Sequence, residues 1–184
     1  RRGEALALSW GDADLLLCQL SVNRSLQFIK NTPSFKQPKT TKSRRLIALS
    51  PSTVAVLRDH RVEQDRLRSE IEFPPTSDTD LVFSHLDGSP LRPDSVTHAW
   101  VKLVRRCNLR GVRLHDARHT HATLMLKQGI HPKIVQERLG HAGIAITLDL
   151  YSHVVPGLQE AAARKFDDLL AENPVSKPLA RIAK

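Results

Sequence analysis

The sequence predicts an α+β protein, mostly helical, with a small antiparallel sheet and a basic hairpin packed on a helical core. Three observations carry this reading. Short apolar runs with partial alternation crowd the first third of the chain, and apolar residues at helical spacing govern most of the rest. Between the two regimes lies "KNTPSFKQPKTTKSRR", rich in turn residues and positive charge. At 184 residues the chain suits one domain with a sizeable core, not two large ones.

Residues 2–9 predict a short helix with Ala5, Leu6 and Leu8 turned inward, broken at Gly11 in "WGDAD". "LLLCQLSV" and "RSLQFI" follow as strands. "RRLIALS" is expected to return against them, closing a hairpin whose basic tip is the stretch quoted above. Pro51 suits the first turn of a charged helix running to about Glu70. "FPPTSDTD" is a loop, "LVFS" a short extended piece and "DGSP" a turn. From Pro93, the residues Val96, Ala99, Trp100, Leu103, Val104 and Cys107 fall at helical spacing. A helix from about Asp116 to Lys127 ends at Gly129, another starts at Pro132, and "VPGLQEAAARKFDDLL" forms a last amphipathic one. Residues 1–172 are expected to form the domain, and 173–184 a basic, disordered tail.

Forty per cent hydrophobic and 26% charged residues is an ordinary globular balance. The sign of the charge is less ordinary: 28 Lys and Arg against 19 Asp and Glu leave +9. That excess favours a polyanion as partner, with nucleic acid ahead of a membrane surface. No run approaches the roughly 18 apolar residues of a membrane span. Cys18 and Cys107 form no CxxC and are expected as small core residues in a reducing, cytosolic setting. The sole Met is Met125, and "RRGEALALSW" opens in what looks like mid-helix. The expectation is a C-terminal piece of a longer protein.

Within "RLHDARHTHATLML", the helical core stripe is expected to be Ala117, His121, Leu124, Met125 and Gln128. His115 and Arg118, three apart, share a face roughly 100° round from that stripe. An imidazole beside a guanidinium suits a phosphate: the fork grips two oxygens while the histidine moves a proton. Such a pair alone is more often solvated surface. His121 reads as a packed histidine, and His119 stays open. A zinc reading competes, since His115 and His119 have i, i+4 spacing. Asp116 stands where the metalloprotease pattern has Glu, however, and Arg118 between the histidines opposes a dication. No metal or cofactor is expected.

The only tyrosine, Tyr151, sits in "LGHAGIAITLDLYSHVVP", ten residues after His141. A phenol titrates near 10, so making it a nucleophile near pH 7 takes roughly 4 kcal/mol of differential stabilisation. Clustered guanidiniums can supply this. Taken singly, the residue reads as a packed aromatic.

Taken together and in order, "RRGEALALSWGDADL", "PKTTKSRRLIAL", "LHDARHTHATLMLKQGI" and "VQERLGHAGIAITLDLYSHV" resemble the catalytic domain of the tyrosine recombinases, the phage integrase family. The resemblance runs from Arg1 to about Leu170. It implies the DNA breaking-rejoining fold and a site-specific recombinase that cleaves and rejoins DNA without metal, through a 3′-phosphotyrosine. Residue by residue, it implies Arg1 and Arg118 as phosphate clamps, and Glu4 as the structural acid of the first helix. Lys39, with Lys42 as second choice, becomes the acid for the leaving oxygen. His115 and His141 become proton-transfer partners, and Tyr151 the nucleophile. Lys36, Lys42, Arg44 and Arg45 are expected along the DNA backbone.

The implied partners are double-stranded DNA and three further copies, as a homotetramer on two DNA sites, with no membrane. The segment from Gly157 to about Leu170 would dock on a neighbour or on its own domain. The implied setting is the cytoplasm of a bacterium, as phage or mobile-element machinery. Alone, such a piece is expected to bind DNA weakly and recombine poorly. A type IB topoisomerase and a non-catalytic DNA-binding relative are the alternatives.

Overall fold

A computed structural model describes residues 1–37, 44–141, 143–145, 147–149 and 158–172. Lys39, Lys42, Tyr151 and the tail 173–184 lie outside them. Helix α1, Arg2–Leu6, is shorter than the sequence suggests. The chain extends straight after it, because the Leu8 carbonyl accepts from the Val82 amide at 2.9 Å and Ser9 bridges Leu81. This pairing buries Leu8, Trp10 and Val82 together.

Five short strands follow. β1 (Ala13–Asp14), β2 (Gln19–Val22) and β5 (Arg45–Ala48) form one antiparallel sheet in the order β1-β2-β5. β3 (Ser25–Ile29) and β4 (Thr32–Lys36) form a separate hairpin. Here the expected pairing is corrected. The chain reverses at Lys30 and Asn31, both with positive φ, so "TPSFK" is a strand and not part of the turn. A two-residue loop with both residues left-handed matches the natural twist of a hairpin, and asparagine tolerates that conformation. "RRLIALS" therefore pairs with β2, Leu20 opposite Ile47, and not with "RSLQFI". The first strand is shorter too. Asp14 Oδ1 accepts from the amides of Leu16 and Leu17, which folds Leu15–Cys18 into a turn.

Helix α2 (Pro51–Glu70) starts at a proline, capped by Ser50, whose hydroxyl accepts from the Thr53 amide. Its Gln64 is buried and accepts from the Trp10 indole at 3.0 Å, tying the helix to the chain before the sheet. Helix α3 (Pro93–Arg106) buries Val104 and partly covers Val96 and Trp100, while Leu103 and Cys107 are exposed. Neither cysteine is a core residue: Cys18 is half-buried in the turn above.

Helix α4 (Leu114–Lys127) and helix α5 (Pro132–Leu139) pack through Ala122, Leu126, Val135 and Leu139, with Met125 alongside. The core stripe of α4 is thus turned by one residue, about 100°, from the one expected. His121, Leu124 and Gln128 are exposed. The small Ala122 admits α5 on that side. Arg118, four residues before it, stands at the end of the buried stripe. Helix α6 (Leu158–Glu172) completes the described chain.

Candidate active site

Residues far apart in sequence meet at the C-terminal end of α5. A helix ends with carbonyls that lack intrahelical partners and carry partial negative charge. Here three successive ones are each taken by a different arginine. Arg45 Nε donates to the Arg138 carbonyl at 3.1 Å. Arg118 Nη2 donates to that of Leu139 at 2.5 Å, and Arg1 Nη2 to that of Gly140 at 2.6 Å. Gly140 closes the helix in the left-handed conformation, φ +65°, which turns the chain sharply towards His141.

Glu4 braces the cluster from below. Its carboxylate accepts from the Arg1 guanidinium and amino group, and from both terminal nitrogens of Arg45. Burial alone would favour the neutral acid. Hydrogen bonding from Arg45, ahead of the other positive groups beside it, overcomes this and holds the carboxyl at about 2.

His115 opens the exposed side of the site, its ring 4.9 Å from that of His119, edge to face. Desolvation, then the charges of His119 and Arg118, lower its pKa. His141 shares a hydrogen bond of 2.9 Å between Nδ1 and the hydroxyl of Thr147, which is fully buried. Burial first, then Arg118 and Arg1, push its pKa below the ordinary histidine value. Both rings therefore favour the neutral form, able to donate at one nitrogen and accept at the other. Burial and the nearby Arg1 charge also lower Arg118.

Beside these residues lies a cleft of about 780 Å³. Arg1, Arg2, Arg113, His115 and Arg118 line it together with the apolar Leu6, Phe83, Leu91 and Val96. Among the described residues, no three His, Cys, Asp or Glu side chains gather as a metal-holding group. His121 faces Arg138, which approaches its Nε2 at 3.4 Å.

So Arg1, His115 and Arg118 line one cleft, and His141 follows the helix end that holds Arg1 and Arg118. Lys36 ends β4 in the open, and Arg44 is exposed, donating to Gln37 at 2.9 Å. Arg45 differs from its neighbour: its side chain is 9% exposed and is held by Glu4 and the Arg138 carbonyl. Strand alternation held part of the clue: Arg45 opens β5, where successive residues face opposite ways, while Arg44 precedes the strand. Thr147 carried no such signal. Among the described residues, no helix is long and apolar enough to cross a membrane.

Known proteins resemble this chain in sequence and in fold. Residues 1–156 match the model of the phage integrase family. The ICEBs1 integrase of Bacillus subtilis (strain 168) is 33% identical over 170 residues, 92% of this chain and 46% of that protein. A tyrosine recombinase XerC-like protein of Caldanaerobacter subterraneus is 29% identical over 180 residues, with the same two shares. The chain thus spans about half the length of these relatives. In fold it resembles the Tn1549 transposon integrase, solved in complex with circular intermediate DNA, with a TM-score of 0.73 at 20% identity. That likeness covers 90% of this chain and 55% of the other.

Proposed function

The chain belongs to the phage integrase family, and from that premise we propose that it is the strand-transfer domain of a site-specific DNA recombinase. The observation that supports this best is the convergence of Arg1, Arg118 and His141, with His115 beside them, around one helix terminus. Arg118 commits one terminal nitrogen to a carbonyl, and Arg1 commits both, to the Gly140 carbonyl and to Glu4; each of these nitrogens carries a second N–H that remains to clamp non-bridging oxygens of a scissile phosphate. Charge building on those oxygens in the transition state is then stabilised by donors already in place.

In the proposed step the Tyr151 oxygen attacks phosphorus and the bond from phosphorus to the 5′ oxygen breaks. The phenol proton passes to a neutral imidazole of the pair His115 and His141, Lys39 gives a proton to the leaving oxygen, and the histidines hydrogen-bond the phosphate. The phosphodiester energy stays in the tyrosine–phosphate bond, so rejoining needs no separate energy source. Two guanidiniums and an ammonium carry the positive charge, and the step draws on no metal. Residues 1–172 form the catalytic unit and 173–184 a tail. Duplex DNA is the substrate, and four copies act on two sites.

The test uses the intact protein and nicked suicide duplexes tiled across the DNA that flanks its gene. A denaturation-resistant protein–DNA adduct is expected, lost in Tyr151→Phe. An adduct that survives this change moves the nucleophile elsewhere; no adduct on any tile leaves a DNA-binding protein, not an enzyme.

A further inference from the structure

Arg45 is the most heavily engaged arginine of the cluster, and sequence reasoning placed it on DNA. Three of its nitrogens are committed, Nε to the Arg138 carbonyl and both terminal ones to Glu4. Its side chain is nine-tenths buried. Gly140 lies directly on the guanidinium: a Cβ there would stand 2.8 Å from Nη1 and 3.0 Å from Cζ. We propose that Arg45 is a positioning residue for strand cleavage, setting Arg1 through Glu4 and setting Arg118 and His141 through the C-terminal turn of α5.

This inference rests on the strand-transfer reading above. Glu4 is shared by Arg1 and Arg45, so the carboxylate that orients the one is itself oriented by the other. The Arg138 carbonyl is the first of three, and the next two hold Arg118 and Arg1. Fixing the first carbonyl and the glycine packed above it fixes the geometry of the rest, including the entry to His141. A planar guanidinium makes both attachments at once, whereas the single ammonium of a lysine cannot bridge them. No N–H of this group need touch a phosphate for the role to hold.

The experiment compares Arg45→Lys and Arg45→Met with Arg44→Ala in the intact protein. The probe is the nicked duplex that the parent protein captures. Arg45→Lys leaves a positive charge opposite Glu4, so it serves if Arg45→Met fails to fold. Both Arg45 variants should bind the duplex within about twofold of the parent and keep its salt dependence, because Arg45 itself contacts no phosphate and Arg1 and Arg118 keep their charge at the site. Their adduct formation at saturating DNA should fall about 100-fold, the scale of a 1 Å misplacement. Arg44→Ala should instead weaken binding and reduce the salt slope by about 1.

Arg45→Lys with the parent's rate at saturation overturns the proposal, as does an Arg45 variant whose only defect is a reduced salt slope. Nuclear magnetic resonance of the DNA-free protein reads positioning without activity. Arg45→Lys should shift the side-chain signals of Arg118 and His141, and unchanged signals also overturn the proposal. If the parent captures no DNA while those signals do shift, the failure lies in the strand-transfer reading and not in the placement of Arg45.

Discussion

Arg1 donates to the Gly140 carbonyl at 2.6 Å across 139 positions of sequence. The contact joins a short first helix to the end of α5, and it exists because Gly140 turns that carbonyl outward. A second route runs beside it, from Glu4 of the same helix through Arg45 to the Arg138 carbonyl.

Replacing Gly140 tests the corner directly. Gly140→Ala forces an L side chain into φ +65° and sets its Cβ 2.8 Å from Arg45 Nη1. Unfolding in urea should show a loss of about 1–3 kcal/mol from backbone strain and crowding together. Gly129 has φ +76° with no atom within 4 Å of an added Cβ. Gly129→Ala should therefore lose only the backbone share, about 1 kcal/mol.

The buried pair Trp10 and Gln64 should behave as a coupled unit. Gln64→Leu leaves the Trp10 indole N–H buried without its 3.0 Å partner, at a cost of about 1–3 kcal/mol. Adding Trp10→Phe removes the orphaned donor, so the double variant should be more stable than the sum of the two single losses predicts. Additive losses in a double-mutant cycle would contradict the coupling.

Acid should destabilise the protein in two stages. His115, His121 and His141 all have lowered folded values, so the unfolded chain binds their protons first. Their contribution is intact above the ordinary histidine range and erodes as pH falls below about 6.5. Glu4, at about 2 when folded against 4.5 in the open chain, adds stability that is complete above the higher value and gone below the lower. Urea midpoints from pH 8 to pH 2 should show both stages, and Glu4→Gln should flatten the second while lowering stability at neutral pH.

Thr147 should matter to cleavage more than to folding. Thr147→Val keeps the buried shape and removes the hydroxyl partner of His141 Nδ1, a bond of 2.9 Å. Adduct formation should slow about tenfold, the equivalent of one hydrogen bond of roughly 1.4 kcal/mol. A parent-like rate at every pH would show that the hydroxyl does not set the ring.

Affinity for duplex DNA should fall steeply with salt, as a net charge of +9 displaces condensed counterions. Lys36→Ala and Arg44→Ala should each lower the slope of log affinity against log salt by about 1. Filter binding between 50 and 200 mM salt measures it.

The helices were legible because their starts and faces are local properties. α2, α3 and α5 begin at Pro51, Pro93 and Pro132, and Gly140 ends α5. The spacing of His115 and Arg118 put both on one face of α4, but only the four motifs taken in order singled the pair out. The reversal at Lys30 and Asn31 was missed because the longer stretch downstream held stronger turn composition. The face of α4 was missed because Ala122 and Leu124 are both apolar, and only the neighbouring helix decides which is covered. Arg45 was misplaced because composition counts charges without saying which of them find a carboxylate inside.

Helix α1 is attached to the rest of the domain in two ways. Leu6 and the following Ala7 pack against Leu26 in a buried apolar cluster, while Arg1 and Glu4 reach the end of α5 and β5 through polar contacts that are partly open to solvent. Loosening the polar attachment leaves the apolar one in place, so competence for chemistry can be lost at a smaller cost than the fold itself.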